Sequence, residues 1–146
     1  MSLATPDRAF AREIAGQGLR VTRQRIALLR ILRGATRHPT VIELHEALRR
    51  EQRRVSRKTV YQILDSFVRA GLASCPTEGG QPFRYEPMRD PHDHAHCRRC
   101  GDLYDLPSLA RPALRRPRAL PAGFRVENVS VLVRGVCNRC RHRRAR

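Results

Sequence analysis

Two cysteine pairs, Cys97-x-x-Cys100 and Cys137-x-x-Cys140, constrain this chain more than any other feature. Each pair forms a tight knuckle whose backbone N–H groups face the sulfurs. Gly101 follows the first pair and Gly135 precedes the second, where sharp turns are needed. Four thiolates suit one tetrahedral Zn²⁺ as a closed, structural site; two disulfides or buried free thiols are the competing readings. In zinc peptides such a site contributes roughly 10–16 kcal/mol at neutral pH. That matters here because aromatic residues make up 5% of the chain and tryptophan is absent, so any core is built mainly from Leu, Ile and Val. The fifth cysteine, Cys75, reads as a small apolar filler in a strand, with metal binding or oxidant sensing as the alternative.

A second donor group abuts the first knuckle. In His92-Asp93-His94-Ala95-His96 the imidazoles alternate, so in an extended segment His92 and His94 share one face and Asp93 points the other way. Glu86 lies before the run and Asp105 after it. Such a nitrogen and oxygen set suits Fe²⁺, Mn²⁺, Zn²⁺ or Ni²⁺, the choice falling to geometry and availability. A surface or internally satisfied histidine is the alternative for each residue alone, and the role of His96, beside Cys97, stays open.

The 146 residues suit one domain or two small ones. Thirty basic against 13 acidic residues give a net charge of +17, carried by arginine apart from Lys58. A high-GC genome accounts for arginine over lysine but not for the shortage of acids, so a polyanionic partner is expected. No apolar run approaches the ~20 residues of a membrane span. The N-terminal residues do not read as a secretory signal, and paired cysteines at metal spacing fit a reducing cytoplasm.

The first half reads as helices. Thr5 and Pro6 open one that carries Phe10 and Ile14, with Gly16 and Gly18 ending it. Thr22 caps a second with Ile26, Leu29 and Leu32 before Gly34. Thr40-Val41-Ile42-Glu43 is a capping box leading to Leu44, Ala47 and Leu48. Ser56 opens a fourth helix with Val60, Leu64, Phe67 and Val68, stopped by Gly71. Leu72 to Cys75 and Phe83 to Tyr85 then read as strands around a Glu78-Gly79-Gly80 turn. That order is a winged helix-turn-helix, whose last helix enters the major groove. Pro87 to Pro91 reads as a hinge. Beyond it, Leu103–Leu106 and 124–133 read as strands, a short helix around Leu109, Ala113 and Leu114 is interrupted by prolines, and the tail from Arg141 is frayed.

The fourth helix opens with Ser56-Arg57-Lys58-Thr59-Val60-Tyr61-Gln62. Its basic first turn favours phosphate, Tyr61 reaches a thymine methyl or a phosphate, and Gln62 pairs with adenine. A solvated helix start with Tyr61 half-buried is the plain alternative. Arg49-Arg50 and Arg53-Arg54 read as phosphate contacts or as a solvated face.

Taken together, these residues resemble the ferric uptake regulator (Fur) family of metal-dependent bacterial repressors. The resemblance rests on Gly18-Leu19-Arg20-Val21-Thr22-x-x-Arg25, His38-Pro39-Thr40, Ser56-x-x-Thr59-Val60-Tyr61, His92-x-His94-x-x-Cys97-x-x-Cys100-Gly101 and Gly135-x-Cys137-x-x-Cys140. It implies an α+β fold: a winged-helix DNA-binding domain over 1–85, a hinge over 86–92 and a small α/β dimerisation domain over 93–146. It also implies a homodimer on double-stranded operator DNA. Structural zinc maps onto Cys97, Cys100, Cys137 and Cys140. A regulatory Fe²⁺ or Mn²⁺, with Zn²⁺ as the alternative, maps onto His38, Glu86, His92, His94 and Asp105. His38 enters through the resemblance alone. DNA contacts map onto Arg20 in the minor groove and Tyr61 on bases, beside Arg57, Lys58, Thr59 and Gln62.

Departures from the family pattern refine this. Gln62 stands where many members carry arginine. Pro91, Pro112 and Val129 replace ligands of a further metal site, leaving only Asp93, so that site is expected to be absent. Asp105, where iron-uptake regulators commonly carry Glu, is similar to the peroxide-responsive (PerR) branch, in which oxidation of His38 or His92 would release the protein from DNA. A zinc-responsive regulator is the nearest alternative, and Cys75 is out of register for its usual ligand. A non-sensing zinc-ribbon nucleic-acid binder is a second. A metal-dependent hydrolase is a third, but the chain shows no paired general base and no Gly-rich phosphate loop.

Overall fold

A computed structural model describes residues 5–77, 82–88, 90, 92–108, 120–126 and 129–142. The chain divides into two compact units, Met1–Arg89 and Asp90–Arg146.

The first unit holds four helices and a two-stranded wing. α1 (Thr5–Gly16) includes Thr5 within the helix instead of using it as a cap. α2 (Arg23–Arg33) starts at Thr22, whose side chain accepts from the backbone N–H of Arg25. α3 (Val41–Glu51) starts with the expected capping box: Thr40 Oγ1 accepts from Glu43 N, and the Glu43 carboxylate accepts from Thr40 N at 2.7 Å. α4 (Arg57–Arg69) is capped by Ser56 and ends in a Schellman turn, with Leu72 N donating to Phe67 O and Gly71 N to Val68 O. Gly71 takes φ +69°, a conformation few other residues hold cheaply.

Apolar residues at helical spacing converge on one core. Ile14, Leu28, Leu29, Leu32, Leu48, Val60, Leu64 and Phe67 are all fully buried. The rims of the helices are tied by charge. Arg30 of α2 reaches Asp7 of α1 at 3.2 Å and Glu51 of α3 at 2.6 Å, while Arg33 pairs with Glu13.

The wing differs from the expected register. β1 (Ala73–Ser74) pairs antiparallel with β2 (Glu86–Pro87), opposing Ala73 to Pro87 and Ser74 to Glu86. Phe83 to Tyr85 is not the paired strand. Tyr85 N donates to Pro39 O, and Arg84 bridges to Thr40 ahead of α3. Glu86 and Pro87, read from sequence as hinge, therefore belong to the wing. Pro87 is tolerated because the strand is short and on an edge. The Glu78–Gly80 turn lies outside the described residues.

The second unit is a three-stranded sheet in the order β4-β3-β5. β3 (Asp93–Cys97) is central, antiparallel to β4 (Leu103–Leu106) and parallel to β5 (Leu132–Gly135). β5 starts later than expected, since Phe124 turns back onto Pro121 through its N–H. The tail is helical as far as it is described: α5 (Asn138–His142) carries Cys140. The helix expected around Leu109–Leu114 lies outside the described residues. Among the described residues, the buried apolar side chains of this unit are Cys97, Leu103 and Cys140.

The two faces of α4 give a test. Phe67→Ala opens a cavity in the core and should cost about 3–5 kcal/mol in urea unfolding. Tyr61→Ala, on the exposed face, should change stability by less than about 0.5 kcal/mol.

Candidate metal centres and nucleic-acid interface

The four predicted sulfurs come together. Cys97 at the end of β3, Cys100 in the following turn, and Cys137 and Cys140 around α5 offer Sγ atoms within 4.8 Å of one another. Cys100 Sγ and Cys137 Sγ are 3.8 Å apart. A ZnS₄ tetrahedron with bonds of about 2.3 Å has edges of about 3.8 Å, so the spacing fits zinc and is far too long for a disulfide. Backbone geometry builds the cage. Gly101 N donates to Cys97 O with Gly101 at φ +71°, and Arg98 N donates to Gly135 O, pinning the two knuckles side by side.

The electrostatics prepare thiolates. The backbone N–H of Cys137 donates to Cys97 Sγ at 3.3 Å and, with the N–H of Cys100, brings the Cys97 thiol down to about 6. The N–H of Cys140 and then the Tyr104 hydroxyl lower Cys137. Donating to Cys137 pushes Tyr104 itself up to about 12. Without a cation, burial drives Cys140 the other way, to about 12. A ligand cation is what allows all four sulfurs to ionise together. Arg139 sits against the Cys100 sulfur and reaches Asp102 at 2.5 Å, while Arg99 donates to Cys140 O at 2.8 Å. Sequence reading missed Tyr104, Arg99 and Arg139, because only the fold brings them to the sulfurs.

The nitrogen and oxygen donors fall into a group in each unit. In the second unit, Asp105 of β4 is directly opposite His94 of β3, which brings their side chains to one face. His92 Nε2 is 3.4 Å and His94 Nε2 3.7 Å from the same atom, Asp105 Oδ1, and the two rings lie 4.5 Å apart. His92 Nδ1 donates to Asp90 O at 2.9 Å. A carbonyl only accepts, so this bond puts the proton on Nδ1 and leaves the Nε2 lone pair for a metal. Asp93 points the opposite way and accepts from Val131 N, holding β3 in place. His96 Nε2 is buried without a hydrogen-bond partner among the described residues.

In the first unit, His38 Nε2 lies 3.0 Å from Glu86 Oε2, and both residues are buried. Ser74 of β1 donates to Glu86 Oε1 at 2.6 Å, and Arg84, just ahead of β2, donates to His38 O at 2.8 Å, so the wing segment orients the pair. Cys75 belongs to neither the sulfur group nor the nitrogen and oxygen donors; its sulfur is 3.9 Å from Thr77 Oγ1.

The predicted DNA-contacting side chains are accessible. Arg20, Arg57, Lys58 and Gln62 are exposed, Tyr61 is 45% exposed, and Thr59 is half-buried, its hydroxyl 2.9 Å from Ser56 Oγ. Arg20 also offers its carbonyl to Arg25 Nη1 at 2.7 Å.

Fold and site define a winged-helix protein with a thiolate metal knuckle and further metal-donor groups. Residues 16–133 match the model of the ferric uptake regulator family. The chain belongs to this family of metal-responsive, DNA-binding transcription repressors. It is 32% identical over 123 residues to the peroxide operon regulator of Bacillus subtilis, covering 84% of this chain and 85% of that one. It is 30% identical to the peroxide-responsive repressor PerR of Staphylococcus aureus, covering 84% and 83%. In structure it is similar to the Vibrio cholerae ferric uptake regulator, with a TM-score of 0.67 and 25% identity over 86% of this chain and 98% of that one.

Cys97→Ser removes the sulfur with the strongest backbone support. The variant should carry no zinc by atomic emission and should lose the thermal transition of the second unit, whereas the wild-type chain should carry one chelator-resistant zinc.

Proposed function

We propose that this chain represses transcription by binding operator DNA as a homodimer when a divalent ion, Fe²⁺ or Mn²⁺, occupies a regulatory site separate from the zinc knuckle. One ion is shared by His38 and Glu86 from the winged-helix unit and by His92, His94 and Asp105 from the second. The observation that carries this reading is that hard donors stand pre-aligned in both units, at either end of the short connection from Glu86 to His92. The second unit is the part proposed to form the dimer.

An ion taking ligands from both units restricts the angle between them, so the two α4 helices of a dimer meet successive major grooves of a palindromic site. Arg57, Lys58, Thr59, Tyr61 and Gln62 supply contacts in the groove and to phosphate, and Arg20 reaches the minor groove. The role is binding, not catalysis, and a DNA target places it in the cytoplasm. Bound iron would supply electrons to peroxide, and His38 and His92 are the side chains exposed to the resulting oxidant. Similarity to two peroxide regulators and the aspartate at 105 favour this branch. A nitrogen and oxygen donor set without Cys75 favours Fe²⁺ or Mn²⁺ over a zinc-responsive role.

The test selects a duplex from a random pool with Mn²⁺ present, then measures its affinity with Fe²⁺, Mn²⁺, Zn²⁺ or Ni²⁺ added separately, with and without peroxide. Fe²⁺ or Mn²⁺ should raise affinity at least tenfold, about 1.4 kcal/mol. Peroxide should abolish the gain with Fe²⁺ and spare it with Mn²⁺. His92→Ala and Glu86→Ala should lose the response yet keep their zinc. A response retained in both variants would refute the assigned site.

A further inference from the structure

A shallow, open depression lined by arginines lies on the surface between α3 and α4. Arg49 comes from the end of α3, Arg53 and Arg54 from the turn, and Arg57 from the first position of α4. Among the described residues, no carboxylate lines it. Among the described residues, none of these four guanidiniums has an ion-pair or hydrogen-bond partner. The carboxylate of Glu51, at the end of α3, is paired with Arg30 at 2.6 Å. Beneath them the turn is fixed. His45 is buried in α3 and donates from Nε2 to Val55 O at 3.0 Å, with Val55 itself 5% exposed.

Four like charges converging on a rigid floor repel one another, an arrangement that favours a multivalent anion. Guanidinium forks match phosphate oxygens two at a time. Arg57 joins the depression to the exposed face of α4 that carries Lys58, Tyr61 and Gln62.

We infer that this depression is a phosphate seat that grips the nucleic-acid backbone beside the groove entered by α4, independently of base sequence and of the regulatory metal. This rests on the DNA-binding reading and extends it to residues 49, 53 and 54. The seat adds affinity and salt dependence on any duplex, whereas the metal sets which conformation presents it.

The test uses the full chain, a labelled random-sequence duplex, and fluorescence anisotropy across a potassium chloride series. Arg53→Ala/Arg54→Ala should make the slope of log affinity against log salt shallower by about 1.8, at ~0.9 per lost phosphate contact. The loss should match on the metal-selected duplex, and the fold gain from Mn²⁺ should not change. Arg53→Lys/Arg54→Lys should restore most of the slope. Arg125→Ala/Arg141→Ala, which removes the same charge elsewhere, should leave it unaltered. Circular dichroism checks that each variant is folded. A wild-type slope in the alanine variant, or an equal loss in the control pair, overturns the inference while leaving DNA binding intact. Failure of the wild-type chain to bind any duplex overturns both readings. Calorimetry with inorganic pyrophosphate separates the other phosphate source. Binding that needs Arg53 and Arg54, with an unchanged duplex slope, would make the depression a seat for free polyphosphate and refute its role on DNA.

Discussion

The convergence of Cys97, Cys100, Cys137 and Cys140 is the constraint on which the second unit depends. Among the described residues this unit buries almost no apolar side chain beyond Leu103 and two of the cysteines themselves. A cation held by these four thiolates, which are spaced for tetrahedral coordination, would cross-link the three-stranded sheet. The cross-link also has a positional consequence. β3 ends at Cys97 and carries His94 three residues earlier, so a cation held in the knuckle would also fix the strand that carries His94. Asp93 secures the same strand from its other face through Val131.

The chemistry of the two donor groups follows from their surroundings. Backbone N–H groups aimed at sulfur favour thiolates and make a closed soft site. The histidines and carboxylates instead face each other as hard donors. The Asp90 carbonyl sets the His92 tautomer, and Ser74 orients Glu86. Soft thiolates and harder nitrogen and oxygen donors rank divalent ions differently, so the two groups differ in the ions they favour.

Much of this was legible in the sequence because it depends on local spacing. The knuckles, the Thr40 capping box, the Ser56 cap and the apolar stripe of α4 are read from residues a few positions apart. What escaped depends on distant partners. His38 has no local signature, because its partner Glu86 lies 48 positions away. The wing register was displaced because Phe83 and Tyr85 have strand-like side chains. Their segment bonds to Pro39 and Thr40 instead, which moves the pairing to Glu86 and Pro87. Tyr104 and Arg139 reach the sulfurs only through the sheet and α5, so no spacing rule announces them.

The central claim is that metal and DNA binding share a coupling free energy, which linkage requires to be reciprocal. The direct measurement is the affinity for Mn²⁺ of the zinc-loaded chain, free and then saturated with its selected duplex. The account predicts that DNA tightens Mn²⁺ binding by the same factor by which Mn²⁺ tightens DNA binding. An Mn²⁺ affinity identical with and without the duplex would contradict it.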